Sequence, residues 1–252
     1  MTPLDHGTAV ATETARLVAA VQHADPSTPV PTCPGWTLAD LVRHTGSVQR
    51  WFTVLLRQRI QEPPRSRDVD LRLPEQPQAY PAWLAEAAAE AGRTFAENDL
   101  DAPMWAWGAD QHARFWVRRM LCETLVHRVD AELALGLAPT IDPALAADAV
   151  TEFLTNLPHA AFFAPGTAEL RAEDRTIRFV RTDGEDTWLV RLRPDGFGLT
   201  PDDAAAPADA TVRATAADLL LLLYGRLDRT ADAVVLDGDE ELLARWFANS
   251  AF

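Results

Sequence analysis

The sequence predicts a two-domain α+β protein, with an antiparallel four-helix bundle over residues 1–162 and a small α+β domain over residues 163–252. Two observations support this division. Up to about residue 160, apolar residues recur at the three- and four-residue spacing of amphipathic helices. Beyond about residue 165, apolar and polar residues alternate, as they do in half-buried strands. The change of period marks the predicted boundary between a helical layer and a mixed one.

The N-terminal region contains four long helical patterns separated by breaks that are rich in Pro and Gly. They cover approximately residues 7–23, 37–60, 77–98 and 110–136. Thr37 and Asp40 form a variant of the capping box at the start of the second helix, and Gly136 is a typical stop for the fourth. A fifth, shorter helix is expected at about 143–158, because Asp142 followed by Pro is a helix-start signal. Four long helices with connecting loops favour a bundle.

The C-terminal region mixes strand and helix patterns. The segments TIRFVRT, TWLVRLR and ADATVRAT alternate apolar and polar residues, and PDG supplies a turn that leads into the strand pattern FGLT. The apolar segment TAADLLLLLYGR predicts a helix, AVVLDG a short strand and DEELLARWF a final helix. This mixture indicates an α+β domain rather than a continuation of the bundle.

Composition and charge exclude several classes of function. The chain has 37 acidic and 23 basic side chains, and the net charge of −14 repels nucleic-acid backbones and anionic membranes. It contains no Lys, which removes Schiff-base chemistry and the P-loop lysine. No apolar run reaches the length of a membrane span, and the N-terminus lacks the pattern of a signal peptide. We therefore expect a cytoplasmic protein whose partners include neither nucleic acid nor membrane.

The fourth predicted helix carries the residues that point most clearly to chemistry. Glu123 and His127 are four apart, so both side chains lie on one helix face, in a stripe with Trp116 and Met120. A second, apolar stripe on the same helix indicates that the helix is central and that Glu123 faces the interior. A carboxylate in an interior needs a partner. His44, on the flank of the apolar stripe of the second helix, is the candidate for a third ligand.

The residues alone leave two interpretations of this set open. Two His and one Glu leave a fourth position open on zinc, as in catalytic sites where the metal acidifies a bound water or thiol. The alternative is a structural Glu–His hydrogen bond, with His44 elsewhere. For the whole protein, the corresponding alternative to an enzyme is a non-catalytic carrier of a small molecule or lipid, with a structural or vestigial metal site.

Two sequence elements in combination resemble a known family. VPTCPGWTLADLVRHTGSVQRW, followed at a distance by CETLVHRVDAELALG, is similar to the mycothiol-dependent maleylpyruvate isomerase family, a branch of the DinB-like metal-binding helical bundles. Members carry a Pro-Gly-Trp element, a His about eight residues later and a Glu-x-x-x-His-Arg-x-Asp element on a later helix. Here these are Pro34 to Trp36, His44, and Glu123 to Asp130. The C-terminal region resembles the small, sterol-carrier-like α+β domain of the same family.

The resemblance implies both fold and function. It implies a DinB-like four-helix bundle in which His44, Glu123 and His127 hold a divalent metal, expected to be zinc, with mycothiol as the thiol cosubstrate. The metal would deprotonate the thiol, and the thiolate would attack a small electrophile. If the adduct rotates and expels the thiol, the reaction is cis–trans isomerisation; if the adduct is kept, the reaction is S-transfer. The sequence leaves both open and does not identify the electrophile.

Five further residues call for an interpretation, and two of them, Arg226 and Asp130, have both a functional and a structural one. Arg226, after LLLLLYG, is either a catalytic residue that binds a substrate carboxylate or a cap of its own helix. Asp130 either orients a metal ligand or is a solvated helix charge. Trp36 is expected to pack the end of the bundle. Cys33 lies in a Pro/Gly loop that allows it to be exposed, Cys122 is expected in the core, and neither is well placed as a nucleophile.

Overall fold

The structure is a computed structural model that describes residues 4–64, 69–201 and 206–251. The chain divides into two compact units, Met1–Thr140 and Ile141–Phe252. The first unit is helical and the second contains a β-sheet with helices, which confirms the predicted α+β class. Among the described residues, no helix combines the length and the apolar character needed to cross a bilayer.

The boundary between the units differs from the predicted one. The prediction placed it between residues 162 and 163, whereas the division falls after Thr140. Helix α5 (Pro143–Asn156), which we assigned to the bundle, therefore belongs to the C-terminal unit. Within that unit the Phe153 ring lies 4.9 Å from the Tyr224 ring. Helical periodicity shows which face of α5 is buried, but it does not show which domain buries that face.

The N-terminal unit is a four-helix bundle, as predicted. Its helices are α1 (His6–Val21), α2 (Leu38–Gln58), α3 (Tyr80–Glu97) and α4 (Ala113–Ala134). Helices α1 and α2 each pack against both α3 and α4. Each helix end lies within a few residues of its predicted position, because the signals that set these ends are local.

Capping residues set the start of α2 and the end of α4. The Thr37 hydroxyl accepts a hydrogen bond from the Asp40 N–H, and the Asp40 carboxylate accepts one from the Thr37 N–H. This is the predicted capping box, and it fixes the start of α2. At the end of α4, Gly136 has a φ of 69°, in the left-handed region that commonly terminates helices. The start of α2 in turn sets the position of His44 within the bundle.

Helix α4 is buried around most of its circumference, in agreement with its two predicted stripes. Trp116 and Val129 are fully buried on different faces of the helix. Arg128 is also fully buried, and its guanidinium lies 2.8 Å from a Glu13 oxygen on α1 and 2.5 Å from a Glu132 oxygen on α4. A buried cation is tolerated only when it is paired in this way. The pairing connects the central helix to α1.

The C-terminal unit contains a five-stranded sheet in the order β3-β2-β1-β4-β5. Its strands are β1 (Arg175–Arg181), β2 (Thr187–Arg193), β3 (Gly196–Thr200), β4 (Ala210–Ala214) and β5 (Val235–Gly238). Strand β1 pairs antiparallel with β2 and parallel with β4, and the two outer pairs are antiparallel. Each strand coincides with a predicted strand segment.

Two more helices complete the C-terminal unit, α6 (Ala216–Leu223) and α7 (Glu240–Asn249), both predicted from the sequence. Trp246 of α7 is fully buried, and its ring lies 5.6 Å from Phe179 of β1 and 6.0 Å from Phe197 of β3. This helix therefore packs its aromatic face on the apolar side of the sheet, where the alternation of β1 had predicted a buried face.

Candidate metal centre

His44, Glu123 and His127 come together in the N-terminal unit, where the side chains of His44 and Glu123 are partly exposed. His44 lies on α2 and the other two on α4, which packs against α2. The His127 Nε2 atom lies 3.5 Å from Oε2 of Glu123, and the His44 Nε2 atom lies 4.0 Å from the same oxygen. One ligand atom of each residue lies within 4.8 Å of the other two. The three predicted ligands thus form one cluster.

The chemistry and spacing of this cluster fit a divalent metal. Zinc binds His nitrogen and carboxylate oxygen at about 2.0–2.2 Å, so ligand atoms in a tetrahedral site lie about 3.3–3.5 Å apart. The separation of Glu123 and His127 matches this spacing, and His44 lies slightly further out. Three protein donors leave a position for a further ligand. Metal binding itself stays a prediction.

A tight turn places Trp36 against both imidazoles. The Trp36 N–H donates to the Cys33 carbonyl at 3.0 Å, and Gly35 has a φ of 82°. Pro followed by Gly in this arrangement is the pattern of a type II turn. The Trp36 ring centroid lies 5.0 Å from that of His44 and 6.0 Å from that of His127. The indole therefore packs on the two candidate ligands as well as on the apolar core.

Asp130 is fully buried and holds His127 in place. Its Oδ2 atom lies 2.9 Å from Nδ1 of His127 and 3.4 Å from Sγ of Cys33, and its Oδ1 atom accepts a hydrogen bond from the Thr32 hydroxyl at 2.6 Å. Of the two interpretations of Asp130, burial excludes the solvated helix charge. A carboxylate partner at Nδ1 fixes the orientation of the ring and directs Nε2 towards Glu123.

Burial and charge compete in setting the protonation of the cluster. Burial alone raises the pKa of the Glu123 carboxyl, but the charge of Arg119 and hydrogen bonding to His127 outweigh burial and hold that pKa well below its usual range. Burial lowers the pKa of the His127 imidazole, but the hydrogen bond to Asp130 and the contact with Glu123 outweigh it and raise that pKa well above its usual range. In the metal-free cluster at neutral pH, the directions of these shifts favour an ionised Glu123 carboxylate and a protonated His127.

Our sequence interpretation missed two residues of this neighbourhood, Arg119 and Thr32. The Arg119 side chain is only 2% exposed, and its Nη2 atom lies 3.5 Å from Oε1 of Glu123. Opposite charges four residues apart on a helix are a signal that the sequence contains. Thr32 contacts Asp130 across 98 residues of sequence, and a separation of that length leaves no local signal.

The structure places the remaining candidates as follows. Arg226 lies in the C-terminal unit, where its guanidinium donates to the Tyr224 carbonyl at 2.6 Å, at the end of α6. This contact agrees with the capping interpretation, and the catalytic assignment stays a prediction. Cys122 is buried as expected. Cys33 is half-buried rather than exposed, and it contacts Asp130.

Comparison with known proteins assigns this bundle and sheet to a class. The profile of the mycothiol maleylpyruvate isomerase N-terminal domain matches residues 8–132, and that of the MDMPI C-terminal domain matches residues 144–245. The two matches meet around the observed boundary between the units. The first match covers the helical bundle that contains His44, Glu123 and His127, and the second covers most of the unit that contains the sheet. The chain belongs to the mycothiol-dependent maleylpyruvate isomerase family.

Two solved structures share the fold. A crystal structure of the mycothiol-dependent maleylpyruvate isomerase has a TM-score of 0.63 at 15% identity, with 92% of each chain covered. A crystal structure of a variant of that enzyme with one substituted residue has the same TM-score and coverage at 13% identity. A comparison with curated proteins gives no match. These matches confirm the predicted family. Membership of this family also confirms that the chain is an enzyme of the isomerase class.

Proposed function

We propose that this chain is a zinc-dependent isomerase that uses mycothiol as a nucleophile to convert a small cis alkene into its trans isomer. The observation that carries the proposal is the convergence of His44, Glu123 and His127 from two helices of the bundle. Family membership supports the thiol and the reaction class. A carboxylate and two imidazoles with room for another ligand are the donor set of a catalytic rather than a structural zinc site.

Three residues of this site would bind the metal, and two neighbouring residues would orient the imidazole rings. His44 and His127 offer Nε2 atoms, and Glu123 offers Oε2. Asp130 holds the His127 ring through Nδ1, and Trp36 packs on both rings, so that their orientations are set before any ligand arrives. A divalent ion held by these residues supplies the positive charge that favours the thiolate form of a bound thiol.

The proposed reaction involves no net transfer of electrons or protons. The thiolate sulfur adds to an alkene carbon conjugated to a carbonyl group, and the π electrons move onto the carbonyl oxygen. The former double bond then rotates as a single bond. When the electron pair returns, the carbon–sulfur bond breaks, the thiolate leaves and the alkene forms again as the trans isomer. Since the nucleophile is the cosubstrate, the chain needs neither a Lys nor a Cys for this role.

Metal analysis tests the ligand set. We expect the purified protein to bind stoichiometric zinc and the combined variant His44→Ala, Glu123→Ala, His127→Ala to lose it. His112→Ala is the control, because His112 lies at the start of the same helix and contacts Asp110 instead of the cluster. Stoichiometric zinc in the combined variant would show that the ligand assignment is wrong.

An assay with maleylpyruvate and related cis alkenes tests the chemistry. We expect turnover with mycothiol, none without it, and an unchanged concentration of free thiol at the end. Stoichiometric loss of the thiol would instead indicate S-transfer. Equal turnover with and without mycothiol would contradict the thiol mechanism. A protein that binds zinc, retains a lipid and turns over no substrate would favour the carrier.

The same assay separates the two interpretations of Arg226. If its side chain binds a substrate carboxylate, Arg226→Met raises KM while zinc content and unfolding temperature stay unchanged. If it serves as a cap through the Tyr224 carbonyl, the variant unfolds at lower temperature, and turnover per folded molecule is unaffected. Arg229→Met, at an exposed position nearby, controls for the loss of a positive charge.

A further inference from the structure

Arg119 is a buried cation directly beside the candidate metal centre. Its side chain is 2% exposed, and it precedes Glu123 by four residues on α4. A buried guanidinium is costly unless an anion accompanies it. Its Nη2 atom lies 3.5 Å from Oε1 of Glu123, within ion-pair distance.

The two oxygens of the Glu123 carboxylate face different groups. Oε1 faces the Arg119 guanidinium, whereas Oε2 faces the Nε2 atoms of His127, at 3.5 Å, and His44, at 4.0 Å. The carboxylate is thus held between a fixed positive charge on one side and the two imidazoles on the other. A cation bound by the imidazoles would meet Oε2 and compete with Arg119 for Oε1.

The number of carboxylate oxygens used decides whether a four-coordinate site is open. Two His and one carboxylate oxygen make three ligands, which leaves one position for a further ligand. Two His and both carboxylate oxygens make four ligands, which closes the site. Zinc accepts either arrangement, so the outcome depends on what else holds the second oxygen.

We propose that Arg119 is a positioning residue that restrains Glu123 to one-oxygen ligation and so keeps a coordination position free for the thiol. This inference rests on the proposed function, because it assumes a metal at His44, Glu123 and His127. It adds a residue outside that ligand set and a reason for its burial. The guanidinium also places a second positive charge beside the metal, which favours an anionic ligand such as a thiolate.

Cobalt spectroscopy on the intact chain tests the proposal. Cobalt(II) replaces zinc with similar geometry, its visible bands weaken as the coordination number rises, and a bound thiolate adds a charge-transfer band in the near ultraviolet. We expect cobalt-loaded wild type to develop this band when mycothiol is added. Arg119→Met is expected to bind cobalt but to lose the thiolate band, because the second carboxylate oxygen would occupy the position of the thiol. Arg119→Lys, which keeps the charge, should restore part of that band.

The outcomes separate this inference from the proposed function. Arg114→Met is the control, since Arg114 is a half-exposed residue of the same helix that pairs with Asp101 and Asp110. If Arg119→Met gives the wild-type spectrum and thiolate band, the metal assignment is supported but Arg119 has no positioning role. If wild type binds no cobalt, the proposed function itself fails.

A crystal structure of the zinc-loaded wild type gives the answer without a variant, in case Arg119→Met does not fold. Only Oε2 of Glu123 should lie at the zinc–oxygen bond length of about 2.0–2.2 Å, with Oε1 still beside Arg119. Both oxygens at bonding distance would overturn the proposal.

Discussion

The Nδ1 atom of His127 lies 2.9 Å from Oδ2 of Asp130, and this hydrogen bond directs the opposite ring nitrogen towards Glu123. Asp130 is itself held by the Thr32 hydroxyl, from a loop 98 residues earlier in the sequence. The loop that carries Thr32 also brings Trp36 onto the imidazole rings. One short segment thus fixes the candidate ligands from two sides.

Asp130→Asn is expected to weaken zinc binding by about 10- to 100-fold, the usual effect of changing the outer partner of a metal-bound His. The amide keeps the size of the side chain but removes the charge that supports the His127 ring. Competition with a chromophoric chelator measures the affinity. Asp195→Asn, an exposed position in the C-terminal unit, removes the same charge and should leave affinity unchanged. Equal zinc affinity in the two variants would contradict the orienting role of Asp130.

Zinc binding is expected to release a proton and to weaken as pH falls. Although burial opposes it, the hydrogen bond to Asp130 raises the pKa of His127 well above its ordinary value of 6.5. At neutral pH the metal-free protein therefore carries a proton on His127, which zinc must displace. Titration calorimetry in two buffers with different ionisation enthalpies measures this proton. A binding enthalpy that is the same in both buffers at neutral pH would be inconsistent with a protonated His127.

The stability of the metal-free protein should depend on pH in two opposite ways. The lowered pKa of Glu123 contributes stability that is present above pH 4.5 and is lost as the pH falls through the pKa of Glu123 in the folded protein. The raised pKa of His127 contributes stability that is present below pH 6.5 and is lost as the pH rises through the pKa of His127 in the folded protein. Both contributions to stability are therefore fully present between pH 4.5 and pH 6.5. Urea unfolding in the presence of a chelator measures the profile, and His127→Gln should remove the decline on the alkaline side.

Two glycines in helices are expected to respond oppositely to alanine. A Cβ at Gly46 of α2 would lie 2.2 Å from the Trp83 ring, so Gly46→Ala should destabilise the fold by about 1–3 kcal/mol through overpacking. Gly92 of α3 has no neighbour within 4 Å of such a Cβ. Gly92→Ala should therefore stabilise by about 0.5–1 kcal/mol, the ordinary gain of helix propensity. Urea unfolding midpoints compare them, and a stabilised Gly46→Ala would show that α2 and α3 are not in close contact at Trp83.

Arg128→Met is expected to destabilise the bundle by about 3 kcal/mol, because it leaves buried carboxylates without their main partner. The estimate is at the low end of the usual range since Arg16 still lies 3.2 Å from Glu13 and 3.6 Å from Glu132. Arg43→Met, which removes an exposed pair with Asp40, should cost less than about 1 kcal/mol. Equal losses of unfolding free energy in the two variants would contradict a buried network.

The elements of the fold could be predicted because their signals are local. The capping box of Thr37 and Asp40, the stop at Gly136 and the alternation in TIRFVRT each depend on residues a few positions apart. Glu123 and His127 could be paired for the same reason, since four residues on a helix define one face. His44 was a candidate from its position on the flank of the apolar stripe of the second helix, and the resemblance to the family strengthened its assignment to the same site.

The sequence by itself thus determined the helices, the strands, the family and a candidate ligand set. Only the tertiary structure decided that α5 belongs to the C-terminal unit, that Asp130 is buried against Thr32 and that Arg119 lies beside one oxygen of Glu123. Hydrophobic periodicity shows that one face of a helix or strand is buried, but it does not identify the element that covers that face. The partner of a buried charge is set by packing between segments far apart in the chain, where no local pattern records the contact.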